Sequence, residues 1–210
     1  MNKHLLSTIL LLILSYGFSY AQDDWNKQMS KDKKVEVWSK IKKEKNEAGN
    51  SEQIVEYIST TTANASIADC ISVMKNIDLH KEFYEDTELS EKIEDISENE
   101  WLIYYYMDAP WPLPNSDVVI QMKFHENKEE GTAIFEGFAA PNLYEDKDVR
   151  RMTFNDISYT FKKIDEEHVS IRIHSIFSPV VNVPDWMVNS WFPKGPAEIS
   201  ASIVKLIEES

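Results

Sequence analysis

Cysteine is almost missing from this chain: Cys70 stands alone among 210 residues, so no intrachain disulfide staples the fold. Its setting, the predicted helix Ser66-Ile67-Ala68-Asp69-Cys70, suggests a buried thiol rather than a reactive one. Glycine is scarce too, with five residues, and no repeat or low-complexity tract marks a linker, which argues for one domain. Basic residues are outnumbered, 22 Lys and Arg against 36 Asp and Glu, for a formal charge of −14. Phosphate binding needs clustered cations, so this balance argues against nucleic acid or an anionic membrane as a standing partner. Transient membrane contact stays open. No apolar run reaches the roughly 18 residues that a membrane span wants. Glycine-rich phosphate loops, nucleophile elbows and zinc-protease signatures are equally missing.

What is present begins with Lys3, the apolar run Ile9 to Leu14 and the small-residue site Ser19-Tyr20-Ala21. These read as an export signal over residues 1–21, cut before Gln22, with a membrane span as the competing reading. The expected product is an exported, periplasmic or secreted domain over residues 22–210, large enough for a sizeable core. Asp23 to Lys34 is polar apart from Trp25 and reads as a loose arm or a short helix pinned by that indole.

Val35 to Lys45 and Gln53 to Thr62 carry β-branched and aromatic residues around a turn-rich Asn46 to Asn50, which predicts a hairpin. Ser66 is a candidate N-cap, and Ile67, Cys70, Ile71 and Met74 recur at helical spacing, so two short helices are expected over Ser66 to Tyr84. Six more strands follow, about Thr87–Ser97, Glu100–Met107, Asp117–Glu126, Thr132–Ala139, Met152–Ile164 and Val169–Phe177. Short turns between them imply an antiparallel meander. Val118, Ile120, Met122 and Phe124 alternate with polar partners, predicting one dry face and one wet face. In the tail, Trp186, Asn189, Phe192, Pro196, Ile199, Ile203 and Leu206 form one stripe at three- and four-residue spacing. Pro193 and Pro196 predict a kink near Gly195, or alternatively a two-helix tail.

Tyr104-Tyr105-Tyr106 runs through Pro110-Trp111-Pro112 to Asp117-Val118-Val119; Val149-Arg150, Ile173 to Pro184, Trp186-Met187-Val188-Asn189 and Lys194-Gly195-Pro196 follow. Together these segments resemble the START family, the StAR-related lipid-transfer domains of the helix-grip superfamily, over roughly Trp25 to Ile207. Two departures stand out: Ser116 occupies the place of the usual arginine, and Ser178-Pro179-Val180-Val181 that of the usual Asp-Pro-Gly-Gly loop. The resemblance implies an α+β helix-grip fold, a curved antiparallel sheet wrapped around a long C-terminal helix with a hydrophobic tunnel between them. It implies binding or transfer of a lipid or other hydrophobic ligand, by a monomer without a cofactor, gated by the tail helix and adjacent loops. The alternative within the same superfamily is a cyclase- or hydrolase-like enzyme acting on an apolar substrate.

On that reading, tunnel candidates are Tyr104 and Trp111 from the aromatic strand and its corner, and Ile120, Met122 and Phe124 from the next strand. Tyr159, Phe161 and Arg172 come from later strands, and Trp186, Asn189 and Phe192 from the tail. Plain core packing is the competing role for each apolar member. Arg172 and His174 share a strand face with Ser170, opposite Ile171, Ile173 and Phe177. If their face lines the tunnel, Arg172 pairs with a ligand carboxylate or phosphate; the cost of an unpaired buried charge favours a solvated face instead. His168 and His174 lie six residues apart, roughly 20 Å along a strand, too far to share a metal ion. The acidic run Glu85 to Glu100 lacks the EF-hand spacing and reads as a solvated face. No catalytic residue is assigned.

Overall fold

The computed structural model describes residues 25–45, 49 and 51–210, so the export signal lies outside the described residues. The chain forms β1 (Asn26–Met29), β2 (Glu36–Lys45), β3 (Ser51–Ala63), α1 (Ile67–Lys75), a 3-10 turn (Ile77–Glu82), β4 (Thr87–Ser97) and β5 (Glu100–Met107). Then come β6 (Ser116–Asn127), β7 (Thr132–Ala139), β8 (Arg150–Arg151), β9 (Asn155–Lys163), β10 (Val169–Phe177), α2 (Asp185–Trp191) and α3 (Lys194–Glu208). The sheet runs β1-β2-β3-β10-β9-β7-β6-β5-β4, antiparallel throughout, and the short β8 pairs in parallel with β6 off that path. It stays open, with β1 and β4 as edges.

Alternation sets which side chains face inward. From β5, Trp101, Ile103 and Tyr105 join the main core, while Leu102 and Tyr104 form a second small cluster with Val119 on the outer face. The expected wet face of β6 is therefore dry at its start: Val119 and Asp117 are both fully buried under the segment that follows β7. Asp117 holds Arg151 bidentately, at 2.9 Å to Nε and 2.6 Å to Nη2, and Arg151 also donates to the carbonyls of Pro141, Tyr144 and Glu145.

Ser66 caps α1 in a reciprocal box: its Oγ accepts from the Asp69 amide, and the Asp69 carboxylate accepts from the Ser66 amide. Cys70 is buried beneath, and burial pushes its thiol up to about 12, leaving it unreactive. The expected loose arm is an edge strand. Asn26–Met29 pairs with β2, the Lys27 ammonium meets Glu36 at 2.6 Å, and Lys40 lies over the Trp25 ring. The sequence hid this because Asn26, Lys27, Gln28 and Met29 gain their order from β2's unpaired edge rather than from their own pattern.

The tail is two helices, and its break falls earlier than Gly195. Phe192 precedes Pro193, whose ring disfavours a helical residue before it, and Phe192 is extended at φ −88°, ψ 145°. Pro196 then sits in the first turn of α3, where its missing N–H costs nothing. Ser200 pins α3 to the sheet by donating to Ser59 Oγ at 2.9 Å, and Glu208 accepts from the Asn64 amide at 2.8 Å.

Candidate functional site

Between the concave sheet and the tail lies an interior with two apolar walls. Ile120, Met122 and Phe124 of β6, Tyr159 and Phe161 of β9, and Ile171 and Ile173 of β10 make one wall; all are buried. Ile199, Ile203 and Ile207 of α3, with Val73 and Met74 of α1, make the other. Gly137 keeps the sheet wall smooth, since a Cβ there would lie 2.7 Å from Ile120 Cγ2 and 3.0 Å from Ile157 Cγ2.

The end of this interior nearest α2 is stoppered by aromatic rings. Trp191 packs edge-on against Tyr57 at 5.7 Å between centroids and against Phe177 at 6.3 Å, and Phe192 lies 6.3 Å from Tyr57. Trp191 reaches this place across bare Gly195 backbone: a Cβ on Gly195 would sit 1.8 Å from the indole. The start of α2 is tied down by Asp185, which accepts from Gln53 Nε2 at 2.8 Å and meets Lys43 at 3.4 Å. Beside that tie is a hollow of about 360 Å³ lined by Lys43, Ser51, Gln53, Asn182, Val183 and Pro184. A second, of about 240 Å³, lies at the far end beside Ser66 and Lys163. Both hollows sit at the ends of the grip rather than along it, and the walls between them meet through packed side chains.

Inside the apolar shell is a band of neutral oxygens. The Tyr84 and Tyr159 hydroxyls share a hydrogen bond, His80 Nδ1 meets the Tyr105 hydroxyl at 2.7 Å, and His80 Nε2 meets the Met74 carbonyl at 2.9 Å. Ser175 stands beside the Tyr57 hydroxyl. Burial pushes Tyr84 up to about 12 and also raises Tyr57, Tyr105 and Tyr159, and these three are opposed as well by the neighbouring Tyr84. Burial pulls His80 down to about 4, so it is neutral near pH 7.

The expected site residues divide three ways. Ile120, Met122, Phe124, Tyr159, Phe161 and Phe192 are brought together around the interior. Tyr104 and Arg172 point the other way: Tyr104 packs on Tyr144 at 5.1 Å, with its hydroxyl raised to about 12 by burial and Asp117, and Arg172 is exposed. His174, on the Arg172 face, instead joins Lys40 around Glu56, at 2.9 and 2.7 Å. Trp111, Trp186 and Asn189 are exposed, Trp111 by 92% on the loop between β5 and β6 and Trp186 by 68%, the last two because breaking the tail at Phe192 turns α2 away from the stripe that α3 continues. Sequence reasoning missed Tyr57, His80, Tyr84 and Tyr105. The parity of Trp101, Ile103 and Tyr105 carried a signal for the last, whereas the others lie on elements whose facing depends on tertiary packing. Among the described residues, no three His, Cys, Asp or Glu lie close enough to hold a metal ion, and no helix is long and apolar enough to cross a membrane.

No protein-family profile matches the chain, and no curated protein matches it in sequence. Solved structures do match. The STAR-related lipid transfer protein of Xanthomonas axonopodis superposes with a TM-score of 0.71 at 19% identity, over 88% of this chain and 99% of that one. Human STARD10 gives 0.68 at 18% identity, over 87% and 72%. The Zhui aromatase/cyclase of a Streptomyces gives 0.54 at 9% identity, over 74% and 94%. The architecture built up strand by strand above is thus that of these neighbours, and the chain has a START-like helix-grip fold.

Proposed function

We propose that this protein binds an apolar, lipid-like molecule between the sheet and the tail and carries it between sites, with α2 as the lid. One observation carries the reading: the end of an apolar interior is closed by a seven-residue helix whose Trp191, with Phe192 just beyond it, forms the stopper and whose joint to α3 is broken at Phe192-Pro193. Moving so short a helix exposes the walls without unfolding the sheet, and lid motions of this kind run on microsecond to millisecond times. Removing the ligand's apolar surface from water supplies the affinity, at about 25 cal/mol per Å². The lipid-transfer name of the Xanthomonas neighbour supports the same reading.

The tyrosine band and the cyclase neighbour favour a second reading, an enzyme on an apolar substrate. Acid–base catalysis works best with groups that titrate near the operating pH. His80 falls to about 4 and burial raises the tyrosines, Tyr84 to about 12, so none is poised for proton transfer at neutral pH, and carriage is the better fit.

The proposal includes where the ligand is exchanged. The loops after β5, β7 and β10 all leave the same end of the sheet, as the register of their flanking strands requires. Exposed Trp111, Leu113, Leu143 and Trp186 stand on those loops and on α2. Indoles favour a membrane–water interface, so this end makes transient contact with a lipid surface. Replacing both Trp111 and Trp186 by Ala is expected to slow movement of a fluorescent lipid between vesicles several-fold. Melting should hardly change, because exposed positions rarely matter by more than about 0.5 kcal/mol. Unchanged transfer would remove the contact from the mechanism. Export belongs to the same proposal, and intact-mass measurement of protein from fractionated cells should find the chain beginning at Gln22; a full-length cytosolic product would refute it.

A further inference from the structure

We infer that the molecule held in the grip is uncharged and presents a hydroxyl or carbonyl oxygen to the Tyr84–Tyr159 hydroxyl pair. This rests on the carrier reading above and names its ligand class.

Charge is what the interior lacks. Asp117 is the only buried charged side chain among the described residues, and it faces outward, neutralised by Arg151. The chain has three arginines, and none reaches the interior: Arg150 and Arg172 are exposed, and Arg151 is committed to Asp117 and three loop carbonyls. No lysine is buried among the described residues. Next to Tyr84 the rim is acidic: Glu85 and Asp108 flank Asp86, whose carboxyl is raised by burial and by those two neighbours. An anionic headgroup would leave water, pass like charges and find no cation, a cost that an apolar interior does not return.

Neutral hydrogen-bonding capacity is, by contrast, present. Two hydroxyls bonded to one another leave one O–H to donate and further lone pairs to accept, so the Tyr84–Tyr159 pair can serve an ester or ketone as donor and an alcohol as acceptor. Tyr84 is half-buried whereas Tyr159 is buried, which puts the pair where the interior meets the rim. A second, separate observation points the same way. The Trp101 indole N–H faces the core, the residue is 5% exposed, and the N–H meets no acceptor among the described residues. A buried donor of this kind costs free energy until an oxygen reaches it.

The test uses the mature protein loaded with a neutral naphthylamine fluorophore and displaced by four competitors of equal chain length: an alkane, a primary alcohol, a methyl ester and a fatty acid. At about pH 8 the acid is fully ionised. The alcohol or the ester should displace the fluorophore at a concentration at least about tenfold below that of the carboxylate, a gap of about 1.4 kcal/mol. Which of the two leads tells hydroxyl from carbonyl. Tyr84→Phe combined with Tyr159→Phe should erase the advantage over the alkane and leave alkane binding unchanged; each single variant is measured as well, in case the double change disturbs folding. A carboxylate as good as the alcohol and the ester overturns the inference while leaving carriage intact, as does an oxygen preference that survives in every phenylalanine variant. Failure of the fluorophore and all four competitors to bind overturns the carrier reading itself.

Discussion

Gly195→Ala is expected to destabilise the protein by about 3 kcal/mol, far more than a methyl group normally costs a helix. Alanine is the better helix former and would ordinarily stabilise this position. Here its Cβ would fall 1.8 Å from the Trp191 ring, so the indole must leave its contacts with Tyr57 and Phe177. The effect therefore acts through one side chain, and a double-mutant cycle can show it. In a Trp191→Ala background, itself expected to cost about 3–5 kcal/mol, adding Gly195→Ala should be close to neutral. Urea denaturation of the four proteins measures this; additive losses would mean that Trp191 is not the stopper. The same variant should release bound ligand faster, because the end of the interior is then open.

The second large effect lies on the opposite face of the sheet. Arg151→Met should cost about 3–5 kcal/mol, since it leaves the Asp117 carboxylate buried and unpaired. It also removes three hydrogen bonds to the backbone of residues 141–145, so amide exchange there should quicken while β9 and β10 stay protected. Combining it with Asp117→Leu should recover much of the loss, because no lone charge then remains. If the single substitution unfolded no more easily than wild type, the buried pair would not be holding the outer loop.

The contrast between these two sites shows what a sequence can reveal. β5 and β6 were legible because the one is a nearly unbroken apolar-aromatic run and the other alternates between turns, and Ser66 was legible as a cap because its partner Asp69 lies three residues on. The Asp117–Arg151 pair was not: Ser116 stands where a neighbouring arginine was expected, and the cation arrives from β8, 34 residues later, through a parallel contact no local pattern announces. Likewise Tyr104-Tyr105-Tyr106 offers three similar rings, and only the register of β5 on β6 sends Tyr105 to His80 and Tyr104 to Tyr144. The tail stripe joined residues across Pro193 as though one helix continued. The proline broke it, so Phe192 turned inward while Trp186 and Asn189 turned to solvent. The inward facing of the apolar residues on β6 was legible from their alternation, whereas the polar band, drawn from β3, the 3-10 turn and the segment just after it, β5, β9 and β10, existed only once those elements were brought together.

The central claim is that this interior holds an apolar, uncharged molecule behind a movable stopper, and native mass spectrometry of protein purified from its own host tests it most directly. The mature chain should carry one adduct per molecule that organic extraction releases as a neutral, oxygen-bearing lipid, and Phe192→Asp protein from the same host should lack it. Bare protein from that host, which also takes up no neutral lipid when incubated with vesicles, would contradict the account.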